Sequence, residues 1–125
     1  MSTATCACNA VRISICHCLE CRKSSGSTHG LNLVVPGAGF LVKGSPSSFT
    51  YEASSGNNVT RYFCRRCGVN LYSDGAGAPG VKFVKAGAVD DPLVLNECRP
   101  DTEFFVSRRA AWQEGISGVE QRDTM

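Results

Sequence analysis

Cys16-His17-Cys18-Leu19-Glu20-Cys21 places three thiols within six residues, and the rest of the chain reads as a scaffold around them. Such crowding disfavours disulfides among the three, because a bridge needs Cα atoms roughly 4.4–6.8 Å apart with converging Cβ vectors. A zinc ion satisfies the same three sulfurs without strain, through bonds of about 2.3 Å that radiate tetrahedrally. Three ligands leave the fourth corner open, which is the pattern of a zinc that does chemistry; a closed set of four is structural.

On the N-terminal side, Val11-Arg12-Ile13-Ser14-Ile15 alternates strictly and predicts a half-buried strand running into Cys16. Before it, Cys6-Ala7-Cys8 is a weaker signal, because thiols two residues apart in extended chain need a local turn to reach one metal. On the other side, a short helical turn from about Leu19 to Ser25 is expected to stop at Gly26. Leu31–Pro36, Phe40–Val42 and Phe49–Tyr51 read as strands, and Ser54–Asn58 as a polar loop.

A second cysteine motif follows in Val59-Thr60-Arg61-Tyr62-Phe63-Cys64-Arg65-Arg66-Cys67-Gly68. A β-rich run enters a C-x-x-C closed by glycine, the shape of a zinc knuckle. The redox reading of this pair is weaker, since such a pair normally opens a helix, whereas Gly68–Tyr72 reads as a strand. Val81–Ala86 and Glu103–Ser107 are the remaining strands, with a turn at Asp90-Asp91-Pro92. Trp112 is expected to pack on the core. Residues 1–112 read as one domain, and 113–125 as a polar tail whose end is expected to be poorly ordered.

Composition sets the frame for these motifs. The chain has 125 residues, 42% hydrophobic and 19% charged, which suits a single globular domain. Its 13 glycines and 5 prolines favour many turns and short strands, hence a mainly β fold with at most one or two helical turns. A net charge of +2 with no aromatic-and-basic stripe argues against nucleic acid. No apolar run nears the roughly 18 residues needed to span a bilayer. No secretory signal is visible at the start, so the expected compartment is the cytoplasm and the 8 cysteines point to metal rather than to disulfides.

Seven of those thiols divide naturally as four plus three. Cys6 and Cys8 with Cys64 and Cys67 would close one tetrahedron, and Cys16, Cys18 and Cys21 would form the open one. The clustering of the C-x-C-x-x-C favours this split, while the other division, in which Cys64 and Cys67 complete a site with two thiols of the central cluster, stays open on sequence alone. Cys98 is left over and is expected to be a small buried hydrophobe. His17 should point away from the metal, whereas His29, on a Ser/Thr/Gly loop, is the better candidate for a fourth ligand.

Taken together, the motifs resemble the glutathione-dependent formaldehyde-activating enzyme family, which also includes centromere protein V. The resemblance is carried by Cys6-x-Cys8, Cys16-His17-Cys18-x-x-Cys21-Arg22 and Ser25-Gly26-Ser27. It continues through Arg61-Tyr62-Phe63-Cys64-x-x-Cys67-Gly68 with Leu71-Tyr72, Ala86-Gly87 with Asp90-Asp91-Pro92, and Phe105-Val106-Ser107-x-Arg109 with Trp112. The chain departs from the family pattern at Asn9, where members usually carry glycine, and in the seven-residue gap from Cys8 to Cys16, where members place a longer excursion.

The resemblance implies a β-tent of small antiparallel sheets organised by two zinc ions. It implies that Cys6, Cys8, Cys64 and Cys67 hold a structural zinc, and that Cys16, Cys18 and Cys21 hold a catalytic one. The implied activity is that of a carbon–sulfur lyase of the S-(hydroxymethyl)glutathione synthase type, with glutathione and a small aldehyde as partners. Arg22, Lys23, Arg61, Arg65 and Arg66 are the cations available to an anionic tripeptide. The competing reading is a non-catalytic, zinc-stabilised protein-binding module of the same fold.

Overall fold

The computed structural model of the protein describes residues 12–97 and 99–124. Cys6, Cys8 and Cys98 lie outside the described residues, and with them the proposed closure of a four-thiolate site and the expected burial of Cys98.

The fold is mainly β, as the turn-rich composition predicts. Its elements are β1 (Arg12–Cys16), α1 (Leu19–Ser25), β2 (Gly30–Pro36), β3 (Ser47–Glu52), β4 (Asn58–Phe63), β5 (Asn70–Gly75), β6 (Val81–Lys85), α2 (Val94–Glu97), β7 (Thr102–Phe104) and β8 (Glu120–Gln121). Hydrogen-bonded ladders join the strands into one open sheet in the order β3-β4-β5-β6-β2-β1-β7-β8. From β3 to β1 every pairing is antiparallel, while β1·β7 and β7·β8 are parallel. The sheet narrows between β5 and β6, where the paired residues are Tyr72↔Val84 and Ser73↔Phe83.

Alternation in the central strands decides where the core and the site lie. Ile13 and Leu33, Leu33 and Val84, and Ile15 and Leu31 are register partners. Partners share a face, so these residues make one apolar surface. Leu33, Val84, Ala86 and Val94 form its buried centre, with Ile13, Leu31, Val35, Phe40, Tyr72 and Val89 packed around them. The opposite face carries Thr102, Ser14, Asn32 and Lys85 in register across four strands. Cys16 and its partner Gly30 lie on that same polar face, one pleat further along.

Three expectations are corrected. Phe40–Val42 is not a strand. Gly39 (φ 80°) and Gly44 (φ 82°) turn the chain there, Phe40 alone packs on the core, and Leu41 is 87% exposed. The last predicted strand ends early, at Phe104, because Phe105 takes a left-handed conformation (φ 56°) and Val106–Arg108 closes a 3₁₀ turn. Trp112 does not pack on the core but is 77% exposed. The polar tail beyond it folds back onto the sheet. Its strand β8 pairs with β7, and the Arg122 N–H donates to the Glu103 carbonyl at 2.8 Å.

Candidate metal-thiolate site

β1 delivers Cys16 buried on the polar face, and the chain then turns directly into α1. Cys18 is the residue that caps this helix. Its backbone is extended (φ −65°, ψ 159°), and its sulfur accepts the Cys21 N–H at 3.4 Å, the role a serine or aspartate plays at other helix starts. One turn on, Cys21 comes back over Cys18. Gly26 (φ 65°) ends the helix where the sequence predicts, its N–H donating to the Arg22 carbonyl at 2.9 Å. Asn70 Nδ2 donates to the Ser24 carbonyl and ties the helix to β5.

The three sulfurs of Cys16, Cys18 and Cys21 lie within 4.8 Å of one another, and none is bridged. Bonds of about 2.3 Å to one tetrahedral ion would place sulfurs ~3.8 Å apart, so the cluster needs little adjustment to hold one. Thiolate sulfur is also the donor that zinc favours. Among the described residues the group that converges is these three alone, so Cys64 and Cys67 do not complete it.

Crowding three thiols sets their protonation. Cys18 is drawn down to about 2 by hydrogen bonds from Cys16 first and Cys21 second, assisted by the Cys21 and Glu20 N–H groups and opposed by burial. Cys16 is pushed far above the ordinary thiol range, chiefly by donating to Cys18, then to Cys21, and by burial. Cys21 is pulled down by its bond to Cys16 but pushed harder by its bond to Cys18 and by burial, and settles at about 11. One thiolate thus accepts from two thiols, and a dication would replace the two shared protons.

Lys85 also reaches this site. Its ammonium donates to Asn32 Oδ1 at 3.0 Å and draws the Cys21 thiol down. Tyr51 on β3 has its hydroxyl pushed up to about 12, by burial first and then by the charges of Cys21, Cys18 and Glu20. Arg61, its neighbour on β4, stands 5.1 Å from the Phe49 ring centroid and 6.0 Å from that of Tyr51. Arg61 forms no ion pair among the described residues. Of the other predicted cations, Arg22 and Lys23 are exposed on α1, and Arg65 and Arg66 are exposed on the C-x-x-C turn.

Neither histidine joins the sulfurs. His17 is fully buried and turned to Glu103, with Nε2 2.8 Å from Oε1. Because the Glu103 carboxyl is held down to about 2, it only accepts, so His17 Nε2 carries the proton of this bond. Burial works against that low value, but the bonds from Gln121, His17 and the Ile116 N–H, with the charge of Arg109, outweigh it. His29 Nδ1 lies 2.9 Å from Thr28 Oγ1 and 3.3 Å from Gln113 Nε2, and its imidazole is kept below the ordinary range by burial and then by His17.

The second motif forms the turn that its glycine demands. Cys64 N–H donates to the Val69 carbonyl at 2.9 Å, and Gly68 N–H to the Cys64 carbonyl at 2.8 Å, with Gly68 at φ 77°. Cys67 is exposed and Cys64 half-buried at the end of β4. A cleft of about 530 Å³ lined by Thr60, Asp74, Pro79 and Lys82 includes none of these cysteines. Among the described residues no helix is long and apolar enough to cross a membrane.

Sheet and sulfur cluster together define a β domain with a candidate thiolate metal centre. Comparison with known families places it further: residues 1–108 match the family described as glutathione-dependent formaldehyde-activating enzyme, and the chain belongs to that family. No curated protein matches the chain.

Proposed function

We propose that the protein is a zinc-dependent carbon–sulfur lyase that catalyses the reversible addition of glutathione to formaldehyde or a related small aldehyde. The observation that carries this reading is the convergence of three unbridged sulfurs, within 4.8 Å of one another, in a chain of this family. Cys16, Cys18 and Cys21 would hold the catalytic zinc, and Cys64 and Cys67, joined by Cys6 and Cys8, a structural one. When bound at the open site, zinc would supply a Lewis acid able to keep a thiol ionised at neutral pH or to polarise a carbonyl.

In the reaction the glutathione sulfur bonds to the carbonyl carbon, the C=O π bond opens, and the thiol proton ends on the new hydroxyl. The chain's own residues supply the setting. Lys85 offsets the negative charge that three thiolates bring to the polar face. Tyr51, pushed up to about 12, keeps its hydroxyl proton across the physiological range and stays a hydrogen-bond donor. Arg61, its guanidinium over the Phe49 and Tyr51 rings and without an acidic partner among the described residues, is the cation best placed for a carboxylate of the tripeptide.

The test is exchange between glutathione, formaldehyde and their adduct, followed by NMR on zinc-loaded protein. Wild type should accelerate exchange over the uncatalysed rate, and Cys18→Ser should lose the acceleration with its circular dichroism unchanged. No acceleration by wild type at millimolar glutathione would replace this reading with the zinc-stabilised binding module. Equal rates in Cys18→Ser and wild type would remove the cluster from the mechanism.

A further inference from the structure

Glu103 is 1% exposed, and a carboxylate buried so far persists only when donors compensate its lost hydration. Four groups do so. His17 Nε2 lies 2.8 Å from Oε1 and Arg109 Nη2 3.3 Å from it, while the Ile116 N–H and Gln121 Nε2 each donate to Oε2 at 2.8 Å. Three of the four donors, Arg109, Ile116 and Gln121, come from beyond the residues 1–108 that match the family. The fourth, His17, is the residue between Cys16 and Cys18, and its N–H is also fixed, donating to the Phe104 carbonyl at 3.1 Å.

A second contact runs in parallel. Gln113 Nε2 lies 3.3 Å from His29 Nδ1, and the His29 ring packs 5.6 Å from that of His17. The network is not saturated. His17 Nδ1, Arg109 Nε and Gln113 Oε1 are buried without a hydrogen-bond partner among the described residues.

We propose that the C-terminal segment, residues 113–122, is a positioning element of the thiolate centre: it holds the Glu103 carboxylate, which fixes His17 and thereby the spacing of the Cys16 and Cys18 sulfurs. The inference rests on the reading of Cys16, Cys18 and Cys21 as metal ligands. Among the described residues no hydrogen bond joins the segment to the sulfurs, so its effect passes through Glu103 and His17. Groups that orient ligands in this way typically change metal affinity or activity by about 10–100-fold when removed.

The experiment uses the full chain carrying Gln121→Ala, which removes one of the four donors at a residue exposed on the surface, and separately Glu103→Gln. Zinc affinity is measured by competition with a chromophoric chelator, and the cobalt-substituted proteins are compared through their sulfur-to-metal absorption bands. Both are read at a temperature where circular dichroism shows each variant folded. The expected result is zinc binding about 10-fold weaker at the three-sulfur site for Gln121→Ala, with shifted cobalt bands. A role in stability alone would lower the melting temperature and leave both metal readouts at wild-type values, which would overturn the proposal. Should Glu103→Gln fail to fold, Gln121→Ala decides alone. The metal readouts need no turnover, so an inactive wild type would count against the lyase reading without touching this one.

Discussion

Gly30 shows how little space the sulfur cluster leaves. It is the register partner of Cys16, and a β-carbon placed on it would sit 3.3 Å from Cys21 Cβ and 3.7 Å from Cys21 Sγ. One methyl group therefore pushes on a ligand held in a helix, and the sulfur yields before the strand does. Gly30→Ala is expected to weaken metal binding at the three-sulfur site by about 10-fold while the fold persists, since the sheet tolerates alanine. Chelator competition against wild type measures it, and an unchanged affinity would show that Cys21 can retreat without cost. This constraint leaves no trace in the sequence, where Gly30 follows Ser, Thr and His in what reads as a loop. The cysteines themselves were legible because their spacing is local. Lys85 and Glu103 were not, because strand pairing brings each to the site from more than sixty residues beyond Cys21.

At the scale of elements, the two turns that carry cysteines were the easiest to read. The helix from Leu19 to Ser25 with its stop at Gly26 follows from a capping sulfur and a residue free to adopt positive φ. The same logic makes Gly68→Ala informative. A β-carbon there meets nothing within 4 Å, so its cost comes only from the φ of 77°. About 1–2 kcal/mol is expected, read as a lower urea midpoint with an unchanged slope. The fold-back of the C-terminal segment was not legible because its order comes from hydrogen bonds to a buried carboxylate, and a polar stretch shows no apolar period to reveal that. Its pH dependence follows. Glu103 is held at about 2 against an ordinary 4.5, so its native interactions stabilise the protein above about pH 4.5 and fade as pH falls toward 2. On the order of 3 kcal/mol is at stake. Urea midpoints at pH 7 and pH 3 should converge more closely in Glu103→Gln than in wild type, and parallel losses in both would refute the assignment.

For the molecule as a whole, the question is how metal and fold depend on each other. The described sheet holds a modest apolar centre of Leu33, Val84, Ala86 and Val94, while its other face is polar where the sulfurs stand. A small β domain gains much from a structural ion, whose binding contributes about 10 kcal/mol or more to folding in small zinc domains. If Cys64 and Cys67 hold that ion with Cys6 and Cys8, the protein binds two zinc ions per chain with different consequences for each. Cys64→Ser should then unfold the domain or lower its melting temperature by tens of degrees. Cys18→Ser should leave the fold standing, because α1 retains Gly26 and its tie to Asn70, and should cost one zinc only. A mild chelator should likewise strip the open three-sulfur site first, with circular dichroism unchanged until the second ion leaves. Metal analysis during that titration decides the point: a single ion per chain, or two that leave together with the fold, would mean that the sulfurs do not divide into one working site and one supporting site.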